Sequence, residues 1–230
     1  MIKHGIAPYL ECSSKGYTQL SAFYARIKGR DNKTIEEIYQ GAKIFEDGTT
    51  GLHWKQAKGK KAVNTEALGT LYQQLWEEYF EENPELYHKI QQYQGFSDMF
   101  GQEGHNCQAN SIYNIWVKYS VRKLYDIAEK YEHLMVLKAD MEEGDVYCGR
   151  PSKWGNPFSS LSHSKGAILT ESPEASVAHY RFKLIQDMKS NPELKETIIQ
   201  ELRGKRLVCF CKGKHICHTT VLLAIANEPW

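Results

Sequence analysis

The stretch TIEEIYQGAK, residues 34–43, puts two adjacent carboxylates, a Tyr39-Gln40 pair and Lys43 on one short helical segment. Thr34 followed three residues later by Glu37 is a capping box, in which hydroxyl and carboxylate satisfy reciprocal backbone N–H groups at a helix start. The cap accounts for Glu37 and leaves Glu36 unclaimed. Glu36 then has two readings: a charge near the positive helix end, or a carboxylate that stabilises a developing cation or activates water. Lys43, or Lys60 in GLHWKQAKGK (51–60), could hold a phosphate, and Tyr39 or Trp54 could stack on a base. Solvated lysines and core aromatics explain the same residues, and for Lys60 and Trp54 the plainer reading is preferred.

Three further groups have chemical potential. GHNCQ (104–108) sets His105 one residue from Cys107, a nucleophile and base if the backbone brings them together; a loop histidine and a half-buried cysteine is the preferred account. VYCGRPSKWGNPF (146–158) combines Arg150, Lys153, Trp154 and Asn156 with glycines that admit close backbone approach. It suits an anionic, planar ligand, and equally a long loop pinned by Trp154 and Phe158. CFCKGKHICH (209–218) carries Cys209, Cys211, Cys217 and His218, a ligand set for tetrahedral zinc. A C-x-C pair on a strand differs from the usual knuckle, and adjacent ligands strain the geometry. The spacing therefore favours apolar strand cysteines followed by a basic loop that presents phosphate to a helix N-terminus.

The elements that must position these groups change character along the chain. IAPYLEC and QLSAFYARIKG read as strands separated by the turn SSKGY. A helix follows from Thr34, with a shorter one in HWKQAKGKKAV weakened by Gly59. Leu68, Leu71, Tyr72, Leu75, Trp76, Tyr79 and Phe80 recur at three and four residues and define a core helix. NPEL at 83–86 and again at 191–194 reads as one capping device used twice. A helix over 109–134, broken near Ser120, leads to a boundary at 133–141. Beyond it LMVLKAD, DVYCG and RLVCFC read as strands among helices, with a crossover suited to parallel pairing. The expected fold class is α/β: an α+β N-terminal domain (1–133), mostly helical with a few strands, and a smaller α/β domain (134–230).

Composition narrows the function. Lys plus Arg (29) nearly cancels Asp plus Glu (28) in 230 residues, so no global polycation exists for non-specific duplex binding. Six unevenly spaced cysteines do not make a disulfide framework in a chain this long, which points to a reducing compartment. With no secretory pattern and no membrane-spanning apolar run, the expectation is a soluble, cytoplasmic protein without a membrane partner. Oligomeric state is not encoded in any motif.

LSAFYARI followed by TIEEIYQGAK resembles the opening motifs of the NADAR superfamily of N-glycosidases, associated with NAD, ADP-ribose and riboflavin-pathway ribosides. Ser21, Phe23 and Tyr24 match the first motif, and Glu36, Tyr39, Gln40 and Lys43 the second. The resemblance covers roughly residues 20–90 and places the family's functional glutamate on Glu36. It departs at Ala22 and Glu37, which replace Asn and His. It implies cleavage or transfer of an N-glycosyl bond in a nucleotide, ADP-ribosylated base or nucleic-acid base, with Glu36 and Lys43 in catalysis. Ser21, Phe23, Tyr24, Tyr39, Gln40 and Trp54 would bind substrate, joined, from their residue types in the C-terminal loop, by Arg150, Lys153, Trp154 and Asn156, and no cofactor would be required. GRPSKWGNPF and the terminal CxC…CH pattern are similar to a phage- and bacteria-associated domain of unknown function over roughly 134–228, which implies a host cytoplasm for a phage-encoded chain. The competing class is a non-catalytic nucleotide- or nucleic-acid-binding protein with zinc on its Cys/His cluster.

Overall fold

A computed structural model describes residues 1–101, 106–211 and 216–229. It is a mixed α/β fold with small sheets, some of them parallel. The chain divides into two compact units, Met1–Trp116 and Val117–Trp230. The division falls inside a helix, upstream of the boundary expected near 133–141.

Unit 1 contains β1 (Ile2–Gly5), β2 (Tyr9–Glu11), β3 (Arg26–Ile27), β4 (Lys33–Thr34), α1 (Ile35–Gly41), α2 (Trp54–Ala57), α3 (Thr65–Glu82), α4 (Glu85–Ile90) and β5 (Gly95–Asp98), and the start of α5 (Gln108–Lys130). β5 lies between β1, antiparallel to it, and β2, parallel to it. The periodic stripe of α3 is the core it promises: Leu68, Tyr72, Leu75, Trp76, Tyr79 and Phe80 are all buried. Tyr72, Trp76, Tyr79 and Phe80 meet edge to face in sequence, the arrangement favoured by ring quadrupoles.

Two local expectations change. QLSAFYARIKG is extended only at Arg26–Ile27; before it, Tyr24 and Ala25 both donate backbone N–H groups to the Ser21 carbonyl, forming a turn. That turn leaves Phe23 and Tyr24 exposed, so the aromatic run is not a packed strand. α5 continues unbroken through Ser120. α2 is one turn long and stops before Gly59, whose φ of +79° a side chain would oppose.

Unit 2 continues α5 and adds β6 (Met135–Leu137), β7 (Val146–Tyr147), β8 (Phe158–Ser159), β9 (Ile168–Leu169), α6 (Pro173–Ser190), α7 (Glu193–Leu202), β10 (Leu207–Cys209) and α8 (His218–Asn227). β10 is the centre of a parallel sheet ordered β6-β10-β7. Its three residues are all buried, and α8 is buried from His218 to Ala226. A helix apolar all round belongs inside its unit. No helix among the described residues is long and apolar enough to cross a membrane.

Candidate functional site

The cap read from the sequence at α1 is present. Thr34 Oγ1 accepts from Glu37 N at 3.1 Å, and Thr34 N donates to Glu37 Oε2 at 2.8 Å. With Glu37 tied outward, the turn before β3 is stitched to the helix start by two bonds, Ile35 N to the Ala25 carbonyl (2.9 Å) and Glu36 N to the Ala22 carbonyl (3.0 Å). This fixes Glu36 on the inner side, 8% exposed, where its Oε1 accepts from Gln40 Nε2 at 3.1 Å. Burial raises the Glu36 carboxyl above its ordinary value; the Gln40 bond and the charges of Lys58 and Lys43 oppose that shift.

Several of the expected residues lie near Glu36 in the sequence, and each has contacts of its own. Ser21 is buried, and its Oγ has no hydrogen-bond partner among the described residues; the Gln40 Oε1 is in the same condition. Phe23 meets Trp54 edge to face, with ring centroids 5.8 Å apart. Lys58 Nζ lies 4.6 Å from the centre of the Phe23 ring, a cation–π distance. Tyr39 packs against Tyr72 and accepts from Asn106 Nδ2 at 3.2 Å. Lys43 is buried, and its Nζ donates to the carbonyls of Lys60 (3.2 Å) and Ala57 (3.4 Å). Burial lowers its pKa while Glu36 works the other way. Lys43 therefore ties α1 to the segment after α2 and is held away from the role of a free phosphate clamp.

Lys58 is the residue the sequence reading passed over. It follows Trp54 by four positions, and the structure couples it to both Glu36 and Phe23. An open cleft of about 650 Å³ in the same unit is lined by Phe45, Asp47, Thr49 and Lys60 among others; neither Glu36 nor Lys43 lines it. His105 lies outside the described residues. Its proposed mate Cys107 is buried and donates toward Asp98 Oδ2 at 3.5 Å, and burial pushes its thiol up to about 11. A thiol so protonated is a poor nucleophile.

In unit 2 the loop residues make mainly internal bonds. Arg150 Nη1 donates to the carbonyls of Asn156 (2.7 Å) and Phe158 (3.3 Å). Asn156 is buried, donates to Ser176 Oγ at 2.9 Å and accepts from Phe158 N at 2.9 Å. Trp154 is buried, its carbonyl accepting from Tyr180 Oη at 2.8 Å, and Lys153 pairs with Glu201. These contacts are those of a pinned loop, the second of the two readings given above.

The cysteine cluster departs from its preferred reading. Ligand atoms of Cys209, Cys211, Cys217 and His218 all lie within 4.8 Å of one another, so the group could bind a metal such as zinc. β10 ends at Cys209, which leaves Cys211 free to turn back, with Sγ atoms 2.9 Å apart. Cys217 is extended at the N-cap while His218 begins α8, and this break in backbone direction removes the strain expected of neighbouring ligands. Hydrogen bonds from Cys209 and Cys211 lower the Cys217 pKa, whereas the same bonding raises that of Cys211. Of these two thiols Cys217, at a helix N-terminus, is the one shifted toward the thiolate. Lys212, Lys214 and His215, on which the phosphate-loop reading rested, lie outside the described residues.

The second unit is accordingly a small parallel α/β unit with a Cys3His group, buried except for Cys211, between its central strand and its last helix. Residues 133–228 match the family described as a domain of unknown function, DUF4326, in line with the motif resemblance of the C-terminal part. The match does not reach residues 1–132, where the NADAR resemblance stands on its motifs alone. Comparison with curated proteins and with solved structures returned no match.

Proposed function

We propose that the N-terminal part is an N-glycosidase or N-glycosyl transferase acting on a nucleotide, an ADP-ribosylated base or a nucleic-acid base. The observation that carries this reading is the Glu36 carboxylate, held 8% exposed by the α1 cap, with Gln40 as its side-chain partner. A buried carboxylate with a raised pKa is suited to take a proton from water or to face the oxocarbenium charge that builds as an N-glycosyl bond breaks. Phe23, Tyr24 and Trp54 offer aromatic faces for a base, and exposed Lys58 offers a cation for phosphate. Ser21 and Gln40, each with a buried oxygen unpartnered among the described residues, supply polar groups for a sugar hydroxyl. Tyr39 and Lys43 support the carboxylate by position and charge. The NADAR-like motifs favour the same assignment.

The test is mass spectrometry of nucleosides, NAD, ADP-ribosylated bases and modified DNA after incubation with the protein. Release of free base is expected, and Glu36→Gln should fold normally and lower the rate by about 100-fold or more. Unchanged turnover in that variant rejects the assignment. A second reading, binding without cleavage, draws on the exposed Phe23–Lys58 pair. Its mark is ligand retained intact by both wild type and Glu36→Gln.

A further inference from the structure

We propose that Cys209 Sγ, Cys211 Sγ, Cys217 Sγ and His218 Nδ1 form a closed, structural zinc site that fastens the central strand of unit 2 to its last helix. A tetrahedral site with Zn–S near 2.3 Å and Zn–N near 2.0 Å has ligand-to-ligand edges of about 3.5–3.8 Å. The two thiol-to-imidazole edges, Cys209 Sγ and Cys217 Sγ to His218 Nδ1, are each 3.7 Å. The thiol-to-thiol edges, 2.9 Å for Cys209–Cys211 and 3.1 Å for Cys211–Cys217, need to open by less than ~1 Å. Cys211, the exposed member of the set, is common to both short edges and can make that adjustment.

The imidazole is oriented for the task. His218 Nε2 stands 2.8 Å from the Cys148 carbonyl, so it carries the proton and donates, which leaves the Nδ1 lone pair facing the thiols. The edge-to-face contact of Tyr180, with centroids 5.3 Å apart at 89°, fixes the ring plane. The Cys148 backbone N–H is bonded to the Val208 carbonyl of β10 (2.9 Å), so the outer support of the site is the sheet itself. The Cys148 thiol stays outside the ligand set, directed at the Val146 carbonyl at 3.5 Å.

Four protein ligands leave no position for water or substrate, the mark that separates structural from catalytic zinc. Three thiolates around a dication carry a net single negative charge, favourable at the α8 N-terminus. Binding displaces the three thiol protons to solvent, so the site strengthens with rising pH.

The experiment uses the full chain purified under reducing conditions without added metal. Elemental analysis is expected to give about one zinc per chain, and cobalt exchanged into the protein should show the visible bands of a tetrahedral thiolate site. Cys217→Ser and Cys211→Ser should each lose most of the metal, while Cys148→Ala should retain it. Chelation should lower the melting temperature. Less than about half an equivalent of zinc together with no tetrahedral cobalt spectrum overturns the site, even if the cysteine variants fail to fold. A folded Cys217→Ser chain with full zinc overturns the ligand assignment, and an unchanged melting temperature after complete metal removal overturns the structural role.

Discussion

Burial holds the Glu36 carboxyl above the ordinary carboxylate range, while the Thr34 backbone bond holds its neighbour Glu37 below it. The divergence has a thermodynamic consequence. A carboxyl with a raised folded pKa stabilises the fold fully below its unfolded value, near 4.5, and loses that contribution as pH rises through the folded value. At neutral pH an ionised Glu36 therefore costs stability. Glu36→Gln is expected to melt at or above the wild-type temperature near neutral pH, with the advantage disappearing toward about pH 4.5. Melting curves across that interval check it, and a variant less stable at every pH would make Glu36 a structural group. Higher stability combined with lost turnover is the pattern of a residue kept for function. At this scale the sequence was informative where the interaction is local. The Thr34–Glu37 box spans three residues and could be read directly, whereas Lys43 reaches carbonyls at Ala57 and Lys60, which no local pattern reveals.

Elements show how one sequence motif can serve two ends. In NPEL at 191–194, Asn191 Oδ1 accepts from Glu193 N, the first residue of α7, at 3.2 Å. In the same four residues at 83–86, Asn83 Nδ2 instead donates to the Tyr79 carbonyl at 2.7 Å and closes the end of α3. In both copies the preceding helix stops one residue before the asparagine and the next begins two residues after it, so the copies differ in the group each side chain bonds and not in where the helices end. The turn at residues 21–25 departs from the strand that Phe23 and Tyr24 suggest by type, since both are exposed. The loop from Arg150 to Phe158 gives a prediction at this scale. Asn156 bridges Ser176 of α6 and the start of β8 from a buried position. Asn156→Ala should destabilise unit 2 by about 2 kcal/mol, because two buried partners lose their bonds. Urea titration measures it; a loss below about 0.5 kcal/mol would mean that the loop is held by Trp154 and Arg150 without it. The cysteine cluster was half legible: residue types announced a ligand set, but the spacing argument missed the change of direction between Cys217 and His218.

For the molecule as a whole, the α/β character was readable because hydrophobic periodicity switches from helical stripes to short apolar runs after about residue 133. The order of strands was not, since β10 pairs with β6 and β7 across long separations. That arrangement bears on biogenesis. The middle member of the parallel sheet is made last, trailing β7 by about sixty residues, so a nascent chain on the ribosome carries two outer strands with nothing between them. A chain ended before Leu207 is expected to remain open to limited proteolysis throughout 133–206, and resistance of that region to digestion would show that the outer strands find another partner. Until translation passes Cys209 and goes on through α8, this half of the polypeptide holds its outer strands and no keystone.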